Sequence, residues 1–79
     1  MAGVKEWKLI VPSYNAVIRQ DGTWWIGWIE EVPGVNSQGA TRDELLENLR
    51  EALSEALEMN REVARKAAGE SYEEVTIRL

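Results

Sequence analysis

The sequence predicts an α+β domain: a two-layer β-β-β-α-β sandwich in which one long helix covers one face of a small antiparallel sheet. Three observations carry this. Two runs rich in β-branched and aromatic residues, Tyr14 to Arg19 and Trp24 to Glu30, flank an Asp21-Gly22 hairpin signal. A stripe of Leu and Ala at i, i+3, i+4 spacing starts at Leu45, just behind a capping signal at Thr41. The last residues, Glu74 to Leu79, alternate apolar and polar with a period of two.

The elements follow in chain order. Trp7 to Val11 is a short apolar run closed by Pro12, which has no N–H to give a ladder. It is either an extra strand or an arm, so residues 1–13 stand apart from a core at 14–79 within one domain of 79 residues. Tyr14 to Arg19 and Trp24 to Glu30 form an antiparallel hairpin around Gln20 to Thr23. Pro33-Gly34 turns the chain into a short third strand, Val35 to Gln38. Thr41 to Glu44 fits a capping box: Thr41 accepts from the N–H of Glu44, and Glu44 reaches back to that of Thr41. Asp43 and Glu44 also suit the positive end of the helix.

The helix then runs from Arg42 to Ala68, with Gly69 as its stop. At about 1.5 Å per residue that is about 40 Å, against about 20 Å for a six-residue strand. The second half therefore overhangs the sheet, or the helix breaks near Asn60. Either way the apolar side of Met59 to Ala68 wants another surface. Glu74 to Leu79 closes the chain as a half-buried C-terminal strand, with Val75, Ile77 and Leu79 on one side.

Composition narrows the chemistry. There is no Cys and no His, so disulfides, thiolate metal sites and the commonest general base are missing. A domain this short buries about 60% of its unfolded surface, and its core rarely supplies more than about 3–5 kcal/mol. Oligomerisation is the remaining staple, so a homo-oligomer is expected. Leu9-Ile10-Val11 is far shorter than a secretory apolar region of about 7–15 residues. No run approaches the roughly 20 apolar residues of a membrane span. A cytoplasmic protein without membrane contact is the simplest expectation.

Net charge is −5, unevenly spread. From Gln20 to Glu58 nine acids face Arg42 and Arg50, a net of −7. Such a middle repels phosphate backbones, and few Lys or Arg stand among the four Trp, so direct nucleic-acid binding is not expected. It suits a basic protein partner, or is simply a solvated helix face.

Asp21, Glu30, Glu31, Asp43 and Glu44 are the acids nearest the sheet. Asp21 sits in a turn, Asp43 and Glu44 are committed to the helix start, and Glu30 and Glu31 face opposite ways on a strand. Ser13, Ser37, Ser54 and Ser71 have no His to activate them. Gly34, Gly39 and Gly69 read as turn and cap residues, not as a phosphate loop. The expectation is no enzyme, with no catalytic, cofactor or metal site.

The second strand stands out. Trp25, Gly27 and Ile29 point one way; Trp24, Ile26 and Trp28 point the other. One helix covers one face. The other face meets a second chain, unless Trp7–Val11 or the end of the helix folds over it. Trp24, Trp28, Glu30 and Glu31 are the residues expected to contact a partner.

The ordered pattern Tyr14-x-Ala16-x-Ile18, Asp21-Gly22-x-Trp24-Trp25-Ile26-Gly27-Trp28, Glu31-Val32-Pro33-Gly34-Val35, then Gln38-Gly39-x-Thr41-x-x-Glu44-Leu45-Leu46-x-Asn48-Leu49-x-Glu51-Ala52 resembles the HicB antitoxin family. The similarity spans Tyr14 to about Glu58. It implies a partial RNase H-like fold without the nuclease carboxylates, dimers or tetramers, and a partner. That partner is a HicA-like toxin, a small basic mRNA endoribonuclease whose active site the antitoxin covers. Many members add a C-terminal DNA-binding domain; none is expected here after Leu79, and the Ala-rich stretch Met59 to Ala68 also departs from the family. Both departures leave room for a stand-alone oligomeric module with no toxin.

Overall fold

A computed structural model gives the fold and describes residues 13–79. Among the described residues four elements form, in the order β1 (Ala16–Asp21), β2 (Trp24–Ile29), β3 (Asn36–Gly39) and α1 (Arg42–Ala68). The strands make one antiparallel sheet with β2 in the centre. Helix α1 packs on one face, so the chain is α+β with a three-stranded sheet and one long helix. The proposed strand or arm at Trp7–Val11 lies outside the described residues.

The hairpin turns one residue later than its Asp-Gly signal suggests. Asp21 still pairs with Trp24, which leaves Gly22-Thr23 as a two-residue loop. Gly22 has φ 64, and no other residue type in the described chain has positive φ. Glycine in the first position of such a loop suits a type II′ turn, whose twist matches the strands. Strand β1 begins at Ala16, not Tyr14, although the carbonyl of Asn15 still accepts from the N–H of Glu30 at 2.9 Å. Between β2 and β3, the N–H of Val35 donates to the carbonyl of Val32 at 3.3 Å around Pro33-Gly34, with Gly34 at φ 88. That is the Pro-then-Gly order of a type II turn.

Thr41 caps α1 as expected: its Oγ1 accepts from the N–H of Glu44 at 3.1 Å. The return bond from Glu44 is not formed among the described residues. Gly39 has a different role from the turn reading above. Its φ is not positive, but a Cβ there would stand 2.6 Å from the backbone nitrogen of Leu45. Its missing side chain lets the first turn of the helix sit directly on β3. Helix α1 runs unbroken through Asn60 and stops at Gly69, whose N–H donates to the carbonyls of Arg65 and Lys66.

The core is Ile29, Val35, Leu45 and Leu49, with Ile18, Trp25, Val32, Ala52, Leu53 and Ala56 packed around it. From Glu58 to Ala68 every helix residue is exposed. These eleven residues, about 16 Å of helix, project past the sheet.

One expected element does not form. Glu74–Leu79 is not a strand, and Ile77 is 81% exposed. Alternation makes a segment fit for a sheet, but a strand exists only where an edge receives it. Here α1 carries the chain beyond the sheet before the segment begins. Arg65 then holds the returning chain, its Nε donating to Glu74 Oε1 at 3.0 Å. No helix among the described residues is long and apolar enough to cross a membrane.

Candidate functional site

Pairing across the hairpin sets what each face of the sheet carries. Ile18 pairs with Gly27, and Ala16 with Ile29, so these residues share the face under α1. Gly27 makes the contact possible. A Cβ there would lie 2.8 Å from Cγ2 of Ile18 and 3.3 Å from Cδ1 of Leu49. The bare backbone is a hollow into which Leu49 of the helix settles.

The opposite face has no such hollow and no cover among the described residues. Val17 pairs with Trp28, Arg19 with Ile26 and Asp21 with Trp24. Trp24 is 50% and Trp28 43% exposed, with half-buried Ile26 between them. Residues four apart on one strand are about 13 Å apart. The result is an apolar strip along β2, widened by Val17 on β1 and bordered by Asn36 and Gln38 on β3. Large exposed apolar strips with polar borders mark surfaces that bind proteins. Arg19 and Asp21 add one charge of each sign to the strip's outer side.

Of the four residues expected to contact a partner, the structure brings Trp24 and Trp28 together on this face. Glu30 follows β2 and is exposed at its end. Glu31 is engaged elsewhere. Asn15 donates its backbone N–H to Glu31 Oε1 at 2.8 Å and its side-chain Nδ2 to Oε2 at 2.6 Å. These two bonds hold the Glu31 carboxyl below its ordinary pKa, the backbone bond contributing most. Glu31 thus braces the start of β1 against the β2–β3 loop. Val17 and Arg19 belong to the strip as well, and sequence reading passed over them. Their signal was the hairpin register, which places any residue opposite Trp24, Ile26 or Trp28 on the same face.

Among the described residues the acidic side chains do not converge on one site. Glu47, Glu51, Glu55 and Glu58 are exposed on α1, in the other layer of the sandwich. Glu47 and Glu58 lie beside Arg50 and Arg61 in i, i+3 pairs. No three acidic side chains gather in a geometry that would hold a metal ion among the described residues. Two concave regions stand out among the described residues. One of about 440 Å³ lies between β1 and α1, lined by Tyr14, Ala16, Ile29, Leu46, Leu49 and Leu53 among others. A smaller one, about 150 Å³, is formed where Tyr72 to Glu74 return against Ala64, Arg65 and Ala68.

No family model, no curated protein and no solved structure matches the chain.

Proposed function

We propose that this chain is a HicB-like antitoxin, a partial RNase H-like domain that binds a small basic HicA-type mRNA endoribonuclease and covers its active site. The observation that supports it most is the uncovered face of β2, with Trp24, Ile26 and Trp28 in a strip beside Val17. The motif order from Tyr14 to Glu58 supplies the family part of the reading.

The roles divide by layer. Trp24 and Trp28 are the anchors, because large aromatic side chains entering a partner's pocket dominate interface energetics. Glu30, exposed at the end of the strand, contacts the partner's basic rim. The acids on α1 face away from the strip, so they act at a distance. They draw a basic protein in and raise its association rate, an effect that falls with salt. In this reading the chain performs no catalytic step; it inhibits by occupying space over another protein's site.

The test is co-expression with a HicA-type ribonuclease in a host whose growth that ribonuclease arrests. Rescue by the wild-type chain, and loss of rescue with Trp24→Ala/Trp28→Ala at equal expression, is the expected result. Failure of the wild-type chain to restore growth or to slow RNA cleavage in vitro overturns the proposal.

A second reading is a stand-alone oligomeric module with no toxin. It is favoured by the helix overhang, where Met59 and Val63 are exposed, and by the exposed segment Glu74–Leu79, which joins no strand among the described residues.

A further inference from the structure

The groove between β1 and α1, of about 440 Å³, has a floor of Ala16 and Ile29 and a wall of Leu46, Leu49 and Leu53. Ile29 and Leu49 belong to the core, so the groove runs along its flank. Ala16 is exposed although it lies on the helix side of the sheet. The backbone beside the groove is ready for a neighbour as well. The carbonyl of Asn15 accepts from Glu30, next to β2. Peptide groups alternate in direction along an antiparallel strand, so those of Ala16 and Ile18 point outward, away from β2. Among the described residues no strand lies on that edge; the sheet order is β1-β2-β3. The opposite edge is partly closed, because Asn48 Nδ2 of α1 donates to the carbonyl of Gln38 in β3 at 2.8 Å.

A strand on this edge presents every second side chain to the groove. Two segments of the chain carry apolar residues at that spacing, Trp7–Val11 and Glu74–Leu79. Their points of attachment separate them. Ser13 lines the groove and is bonded to Pro12, so the chain ahead of it starts at the groove itself. Five residues reach about 17 Å, most of the roughly 20 Å of β1. The C-terminal segment starts beyond Gly69, about 18 Å of exposed helix past Leu57, the last helix residue that is not exposed. It has that distance to retrace first, and in the structure Glu74 is bonded to Arg65 while Val75 and Ile77 are exposed. The shorter connection costs less entropy to close.

Turn chemistry agrees with the N-terminal choice. Pro12 has no N–H to satisfy, and its fixed φ suits the first corner of a type I turn. Four-residue hairpin loops are most often built on that turn. A loop of Pro12 to Asn15 hands the chain to β1 at Ala16, which is where the strand begins even though its apolar run starts at Tyr14. Val11 then stands opposite Ala16 and Leu9 opposite Ile18. Directly opposite residues share a face, so Trp7, Leu9 and Val11 all go to the helix side. The intervening Ile10 extends the open strip beyond Val17, and Lys8 stands opposite Arg19 and diagonal to Asp21.

We propose that the β1–α1 groove is the docking site of the chain's own segment Trp7–Val11, which pairs antiparallel with the outer edge of β1 and places Trp7, Leu9 and Val11 against the flank of the core. The strap closes the sheet edge that a foreign strand would otherwise extend. A partner is thereby directed to the open face, because the strap lies in the plane of the sheet and leaves Trp24 and Trp28 exposed. The docking does not rest on the toxin reading: it uses the edge and helix side of the sheet, and either can fail without the other.

Amide hydrogen exchange of the full chain tests this, because the N–H groups of Ala16 and Ile18 are protected only if the outer edge is paired. Wild type is expected to show both amides slow, at a rate that does not change on tenfold dilution. Leu9→Pro removes a ladder donor from the strap, and is expected to speed exchange at Ile18 about tenfold or more. The amides of α1 around Leu49 should stay slow in that variant, which shows that the domain is still folded. Ile77→Pro is expected to leave Ile18 unchanged. The inference is overturned if Ala16 and Ile18 exchange fast in wild type, or if their protection falls on dilution, which would place a second copy on the edge. It is equally overturned if Leu9→Pro leaves Ile18 slow, or if Ile77→Pro speeds it, which would place the C-terminal segment there. Should Leu9→Pro unfold the chain, Leu9→Ser and Lys8→Ser decide: only the first is expected to lower the denaturation midpoint, and equal effects overturn the assignment of faces.

Discussion

Strand β2 has two faces of similar apolar content, and among the described residues only one of them is packed. On one side Trp25, Gly27 and Ile29 lie beneath α1; on the other Trp24, Ile26 and Trp28 face outward. What separates them is the middle residue. Gly27 leaves a hollow that admits Leu49, whereas Ile26 fills the space between two indoles and presents a ridge. A helix packs by inserting side chains between those of its neighbour, so the face with the gap is the one it takes. Apolar character decides that a face will be buried by something; shape decides whether the chain itself can do it.

The sharpest way to break this comparison is to empty the packed side. Leu49→Ala is expected to cost about 2–5 kcal/mol, the usual range for a fully enclosed Leu, as read by chemical denaturation. Filling the close approach of helix and strand is next. Gly39→Ala drives a Cβ into the backbone at Leu45 and is expected to cost about 1–3 kcal/mol. Removing the cap with Thr41→Ala is expected to cost about 1 kcal/mol, because the N–H of Glu44 loses its acceptor.

On the open face the expectation reverses. Trp28→Ser should change stability by less than about 1 kcal/mol while weakening any complex made through the strip. If Trp28→Ser destabilised the isolated chain as much as Leu49→Ala, the two faces would not differ as described.

The smallest effect belongs to Glu31. Its carboxyl titrates below the ordinary value of 4.5 because Asn15 donates to its charged form. The Asn15–Glu31 brace therefore contributes above that value and is lost as pH falls through the lower folded one. Glu31 is fully exposed, so the contribution is small. Wild type should exceed Glu31→Gln slightly in thermal midpoint at neutral pH, and the gap should close as the pH falls from the ordinary value of 4.5 through the lower folded one. A gap that widened in acid would contradict the brace.

Most of the sheet was legible from local chemistry. The hairpin and the Pro33-Gly34 turn follow from turn residues between apolar runs, although β1 sits two residues and β3 one residue later than the runs suggest. Helix α1 follows from Thr41, the Leu stripe and Gly69. The candidate face was half legible. Alternation separates Trp24 and Trp28 from Trp25, but not which set the helix will take. The tie of Glu31 to Asn15 was not legible, because Asn15 is sixteen residues away and becomes a neighbour only when β1 pairs with β2.

Amino-acid order alone determined the types of the four elements that form, their caps and turns, and the presence of apolar residues on both sides of β2, because each depends on residues within a turn or two of one another. Tertiary structure decided the rest: that Gly27 and Gly39 mark the approach of α1, that the helix outruns the sheet by about 16 Å, and that Glu74–Leu79 is left without an edge. Those outcomes depend on lengths and shapes compared across the fold. A period of two is the same whether the strand finds a neighbour or not; only the arrangement of the rest of the fold settles that.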